Sequence, residues 1–591
     1  MRALRVRACA TVRGPLCLVL LFLLAGVVGC GPAACTGSVA PQRPLPLFPR
    51  GARPADADEL AEVVVVDRET SEEMSQSGWP GQVIRLGDVG FLYMVRGNER
   101  RIEYSVDRQA GVLTVNGRVV GLTVRDGLVP DALLSQHRGT IESIRLTGSV
   151  VPDSSNAAAL VALAGEDVAV DLDWTGEDAP ELEWLNGLGG RLVHLTLSAN
   201  AMRTETLRRL VRFPALVSLE LDVRGLSDEN LRALSDLSQL RTLTVMGDQL
   251  GDAGISNLSS ISELRNLSLA IPEIGGPGLS CIAGLSHLRT LCLGNARMPA
   301  NAIAQLARLS ELRVLAFSQV GREGVTELSG LSKLRDLTLT GSSIGDADLT
   351  WLSRLTQLER LDLGRASMGD AGLVHLATLT RLRRLTLEDT QVGDAGLEHL
   401  SGLSQLRWLD LSSTQVGDAG LAYISGFSQL RVLNLAYTRV GAEGLGHLAR
   451  LSQLRELNLA HTLVGDAALE RLRGFTHLRR LDLGGTQIGD AGVAGLHELS
   501  ELQVLLLADT NVADAGLDGL DRLSQLHVLD LSNTRVGDAG LAELVGLAQL
   551  KTLNLAHTQV GLEATSTLQG ILPHCWIVGV RGHATLEDAY R

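Results

Sequence analysis

The sequence predicts an α/β solenoid, one strand and one short helix in each coil, preceded by a small β-rich domain. Three observations predict it. The phrase TQVGDAGL fills residues 390–397 and returns at 414–421, with near copies starting at Thr486, Thr510 and Thr534, and self-similarity at a fixed period is the mark of stacked repeats. The pattern LxxLxL opens at Leu192, Leu216, Leu240, Leu264, Leu288 and Leu312, then at Leu334 and every 24 residues to Leu550. Within each unit apolar residues first alternate and then recur every third or fourth position, which is a strand followed by a helix. With irregular openings near Ile141 and Asp167, the array has about eighteen units. A chain of 591 residues therefore does not require several domains, because each coil packs only on its neighbours.

In chain order, Arg2, Arg5, Arg7 and Arg13 precede an apolar run at 16–28. Its thirteen residues fall short of the roughly 20 that cross a bilayer, in keeping with a secretory signal over 1–29. The run ends in VVGC, residues 27–30, which resembles the lipobox of bacterial lipoproteins. That resemblance implies that Cys30 is acylated and becomes the N-terminus, anchoring the chain to a membrane. It further implies that Gly31, not being Asp, permits sorting to an outer membrane. Residues 30–58 then read as the lipidated Cys and a Pro-rich linker. Residues 59–140 contain EVVVV, QVIRL, FLYMV, RIEYSV and GVLTVNG, β-favouring stretches between Gly and charged turns, and read as a small β-rich domain capping the first repeat. Repeats occupy 141–573, with a C-terminal cap and tail at 574–591. The step from Leu312 to Leu334 is 22 residues and is the expected place for a kink.

One unit shows the logic. From Leu382 to Gln405, Leu385 and Leu387 alternate with Arg384, Thr386 and Glu388, so one strand face is apolar and the other meets solvent. The Thr390 hydroxyl is placed to bond backbone groups as the chain leaves the strand. Asp394 is expected as an N-cap taking amide hydrogens near Gly396 and Leu397, and Leu397, Leu400 and Leu403 continue the apolar stripe. The Asp column running through Asp346, Asp370, Asp394, Asp418, Asp466, Asp490, Asp514 and Asp538 is read as helix caps, not as a calcium ladder.

On these residues the array resembles leucine-rich repeat proteins, in particular the 24-residue bacterial and ribonuclease-inhibitor-like repeats and the cysteine-containing repeats of F-box substrate receptors. The resemblance implies a right-handed horseshoe or arc with a concave parallel sheet and helices on the convex side, and a protein-binding role. An adaptor role in ubiquitin ligation is the family-level alternative. It fits poorly behind a signal segment and a β-rich region where a helical F-box would be needed.

Composition narrows the function classes. A net charge of −14 argues against nucleic acid, which requires clustered Lys and Arg. Seven Cys in an exported chain of this size do not form a disulfide framework, and no CxxC occurs, so no metal is expected. Cys281 and Cys292 are read as small buried hydrophobes. No P-loop or HExxH is present, so neither catalysis nor a cofactor is expected. Function is placed on the outward strand positions, where folding leaves residues free to vary. Arg384, Trp408, Asp410, Asn434, Tyr437, Glu456, Asn458, His461, Arg480 and Asp482 form the candidate patch, with Trp408, Tyr437 and His461 sharing one surface and the acid and amide side chains drawing in a basic segment. The expectation is a recognition scaffold at the cell envelope, with an envelope structural or adhesion role as the other class.

Overall fold

The computed structural model describes residues 183–579, apart from 200–201, 224, 295–297 and 319, together with 141–148, 154–174 and short strands between 43 and 125. Residues 1–42, with the signal segment and Cys30, lie outside the described residues. The chain divides into two compact units, up to Asp248 and from Gln249 onward.

The first unit opens with an antiparallel sheet. Arg43–Pro46, inside the expected linker, pairs with Glu62–Val65, which pairs with Leu92–Arg96, itself bound to Gly81–Arg85. A meander follows, Tyr104–Asp107, Val112–Val115 and Arg118–Arg125. Its last strand pairs parallel with Ile141–Gly148, and the sheet continues through Ala164–Trp174, Leu192–Ala199, Ser218–Val223 and Thr242–Met246. Each β-favouring stretch of the expected domain thus carries a strand, and the meander extends the repeat sheet by continuing its hydrogen bonds. An edge strand covered in this way offers no unpaired template.

The second unit holds fourteen parallel strands, from Asn266–Ala270 to Trp576–Val578. Paired positions advance by one repeat, as in Arg384↔Trp408 and Leu385↔Leu409. Leu382, Leu385, Leu387, Val392, Leu397, Leu400 and Leu403 are all fully buried, so the seven apolar positions of a coil form one layer of a continuous core. The short step is absorbed away from the strands: Leu315 still pairs with Leu337, while the following helix is trimmed to Val325–Gly330 after a left-handed Gly324. Helices are shorter than the apolar spacing suggests, typically one α turn such as Asp394–Leu397 followed by a 3₁₀ turn, Glu398–Leu400. A 24-residue coil must return to the next strand within a few residues, and short 3₁₀ pieces suit that task. Thr390 donates to the carbonyl of Leu387 at 2.7 Å, and Thr414, Thr438 and Thr462 repeat the bond.

The Asp column is not a set of helix caps. Gly393 occupies the cap position and Asp394 is the first helical residue. The Asp394 carboxylate instead accepts the N–H of Gly417, one unit on, at 2.6 Å. Asp346, Asp370, Asp418, Asp466, Asp490, Asp514 and Asp538 bond the next unit in the same way. The amide of the adjacent coil lies within reach and is otherwise unsatisfied, so a charged bond between units is the better use of the acid. The same carboxylate explains the Gly of GDAG: a Cβ on Gly396 would stand 2.5 Å from Asp370 Oδ1 and 3.0 Å from Asp370 Cα. At Gly276 and Ala442, two of the positions that lack the acid, the residue 26 positions on is Ala, Ala302 and Ala468, whereas Gly324 follows Ala300 in the short unit and Ala564 follows Asp538. Where Arg322 replaces the acid, that residue is Asp348, and the two form an ion pair at 3.4 Å.

Cys281 and Cys292 are half-buried rather than buried. Cys292 sits at an outward position of Thr290–Leu293. Cys575 is buried, and burial pushes its thiol up to about 11.

Candidate functional site

The candidate residues all lie in the second unit, on the outward side of the strands and on the loop that follows. The backbone there repeats a fixed feature. Gly341, Arg365, Asp389, Ser413, Tyr437, His461, Gly485, Asp509, Asn533 and His557 all have positive φ, and each N–H from residue 341 to 533 donates to a carbonyl of the next unit, as in Tyr437 to Ala460 at 2.8 Å. These rungs are about 4.8 Å apart. Left-handed backbone suits Gly, Asn, Asp and His and is unusual for a bulky side chain such as Tyr, so Tyr437 occupies a conformation that its residue type does not favour.

The structure groups the predicted residues into two pairs. The Arg384 guanidinium lies 4.0 Å over the Trp408 ring, following directly from their register on adjacent strands. The Trp408 indole N–H is shielded from solvent and has no hydrogen-bond acceptor. The second pair is Tyr437 and His461, whose rings stack at 4.3 Å with 17° between planes. No ring contact joins Trp408 to Tyr437 among the described residues. Trp408 corresponds to position 432 of the next unit, five residues before Tyr437, and at about 3.3 Å per residue the two side chains stand at different depths of the face.

The acid and amide column has a structural duty. Asp410 Oδ1 accepts the Ser412 amide at 2.9 Å, and its Oδ2 accepts Asn434 Nδ2 at 3.0 Å. Asn434, Asn458 and Asp482 take the amides of Ala436, Ala460 and Gly484. These side chains close the turn that carries the chain into left-handed backbone. Burial is the main cause that raises the Asp482 carboxyl above its usual range, with Gly484 and Arg480 opposing and Asp530 adding to the rise. Asp362 is raised likewise, first by burial, with Asp410 contributing. Glu388, between those two acids, is raised by burial and then by Asp410, against Arg365. Glu456 flanks Asn458 on its strand and pairs in register with Val432 and Arg480.

Three segments, residues 405–425, 476–496 and 524–545, match the family model described as Leucine Rich repeat. The fold is a leucine-rich repeat solenoid. No curated protein matches the chain in sequence. Among solved structures it is similar to a leucine-rich repeat protein from Leptospira interrogans, with 20% identity and a TM-score of 0.49, covering 68% of this chain and 99% of that one. The mouse RP105/MD-1 complex gives 19% identity and a TM-score of 0.48 over 80% of this chain and 88% of that one. An internalin from Listeria monocytogenes gives 23% identity and 0.39 over 56% and 88%.

Reading the leucine-rich repeat columns in space adds residues that the sequence reading missed. Leu463 is 62% exposed and stands two residues past His461, in a column otherwise filled by Gln391, Gln415, Arg439, Gln487, Asn511, Arg535 and Gln559. The signal was available as the single apolar member of a polar column. Tyr437 is 49% exposed, and its phenol is raised by burial and by the charges of Asp482 and Asp509. Gly485 completes the group: a Cβ there would overlap the His461 imidazole, so the ring lies across the glycine and holds Tyr437 above it.

Proposed function

We propose that the protein is a non-enzymatic recognition scaffold that binds a protein or peptide on the sheet face and rim between Arg384 and Asp482. The observation that carries this reading is the exposed Tyr437–His461 stack with Leu463 beside it. Large apolar and aromatic surface held out on left-handed backbone at Tyr437 and His461 adds nothing to the core, and such residues are favoured interface anchors. The Arg384–Trp408 pair extends the surface on the strands. In this proposal Cys30 carries the acyl anchor, the Pro-rich linker spaces the solenoid from the membrane, and the site faces outward from a bacterial cell envelope.

The test is crosslinking in intact cells followed by recovery of the protein, comparing the wild type with Trp408→Ala and a Tyr437→Ala/His461→Ala pair. A partner lost from both variants supports the site. A partner retained by both removes it. Palmitate labelling of the wild type against Cys30→Ser reads the anchor separately, and absence of label in the wild type rejects it.

A further inference from the structure

Resting on that reading, we infer that the rim beside Tyr437 is a socket for an arginine side chain of the partner, stacked on the free face of Tyr437 and ion-paired to Asp389. The rungs Asp389, Ser413, Tyr437, His461 and Gly485 follow one another in consecutive units, tied by backbone bonds from Asp389 to Ser412, Ser413 to Ala436, Tyr437 to Ala460 and His461 to Gly484. One face of Tyr437 is covered by His461, which in turn lies on Gly485. The other face therefore points back toward Ser413, and with half of Tyr437 exposed it is open to solvent. Ser413 is exposed and has the smallest side chain of the non-glycine rungs. Asp389 lies one rung further, about 10 Å from Tyr437 along the rim. That gap accommodates one planar group in van der Waals contact with the ring, with its edge directed at the carboxylate.

The electrostatics select a cation. Asp389 is exposed, and no ion pair or side-chain hydrogen bond engages it among the described residues. Its counterpart Asp509 is held by Asn533 of the next unit, whereas the residue following Asp389 in the column is Ser413. Arg365, on the other side of Asp389, is already paired with Glu388 at 3.3 Å. Glu388, Asp410 and Asp362 gather nearby, and the Glu388 carboxyl is raised first by burial and then by the charges of Asp410 and Asp362, against Arg365. Between the two basic side chains, the guanidinium fits better. It is planar, stacks on aromatic faces, and presents donors at its edge, while an ammonium is a compact, strongly hydrated charge. The protein uses the same contact internally, with Arg384 over Trp408 at 4.0 Å.

Fluorescence anisotropy on the purified full chain tests this with labelled nona-arginine, nona-lysine and nona-citrulline peptides at fixed ionic strength. We expect nona-arginine to bind about tenfold more tightly than nona-lysine, and nona-citrulline not to bind. Tyr437→Ala and Asp389→Asn should each bring the arginine peptide down to the lysine level. Asp518→Asn, which removes another exposed charge in a different column, should leave the preference intact. Equal affinity for the arginine and lysine peptides overturns the socket, because it is what net charge alone produces. So does a preference that survives both socket variants. Either result, obtained while a crosslinked partner is still lost with Trp408→Ala, sinks the socket and leaves the recognition reading standing.

Discussion

Replacing Gly396 by Ala should loosen one joint of the solenoid, and the structure sets the size of the effect. The new Cβ would stand 2.5 Å from Asp370 Oδ1 and 2.9 Å from Leu373 Cδ1. The carboxylate must turn away, giving up its 2.6 Å bond to the Gly393 amide. A bond to a charged acceptor contributes about 1.5–3 kcal/mol, toward the lower figure here because Asp370 is half-exposed. Residual crowding costs about 1 kcal/mol more, while the better helix propensity of Ala returns about 1 kcal/mol. The net loss is about 2 kcal/mol, or roughly thirtyfold faster hydrogen exchange of the amides at 393–400. Local exchange is the appropriate assay, since a long repeat array does not unfold as one cooperative unit. The decisive arm is the Asp370→Ala/Gly396→Ala pair, which copies the natural combination of Ala442 with Ala468. With the carboxylate gone the shortest of these contacts disappears and the Leu373 side-chain end is left to give way, so the double variant should lose clearly less than the sum of the two single effects, a coupling of at least about 1 kcal/mol. Simple additivity of the two single effects would refute the proposed linkage between acid and glycine.

Further outcomes follow from the same contacts. Leu385→Ala empties a fully buried position and should cost about 2–5 kcal/mol, read as faster exchange in its own and both adjacent coils. Thr414→Val keeps the shape but removes the 2.6 Å bond to the Leu411 carbonyl, costing about 1 kcal/mol in the same measurement. Asp482→Asn should stabilise the unit at neutral pH, because Asn434 and Asn458 show that an amide makes the turn bond equally well without burying a charge. The raised Asp482 carboxyl means that the folded state holds the proton more tightly than the unfolded one. Its effect on stability is therefore most favourable below about pH 3.9, the unfolded value, and declines as pH rises through the folded pKa. Denaturation curves taken across that interval should show the decline in the wild type and a smaller one in Asp482→Asn.

Most of the coil was readable because every unit must bury the same side chains. The positions of Leu385, Leu387, Leu397 and Leu400 obey that demand regardless of context, and the registers of Arg384 with Trp408 follow from it. The Asp column was misassigned because capping is a rule within one segment, whereas the partner of Asp394 is 23 residues away in sequence. A clue was present in one chain: from Asp346 to Asp514 each Asp is followed by Gly 26 positions on, and within that stretch both change together at Ala442 and Ala468. The candidate patch was only half readable. Period alone shows which residues share a column, so it identified Tyr437 and His461 as neighbours. The five-residue offset between the columns of Trp408 and Tyr437 was in the sequence as well, but strand spacing alone was used and it merged Trp408 with them. Leu463 went unnoticed because leucine is unremarkable in a leucine-rich chain until its column is known to face water.

The run of inter-coil clasps from Asp346 to Asp538 skips a beat once, at Ala442. The two coils on either side of that omission are those bearing Tyr437 and His461, which meet ring against ring instead. A seam held by a stack of planes can shear a little without breaking, as a clasped one cannot. The proposed surface thus sits at a joint of the spine from which that clasp is missing.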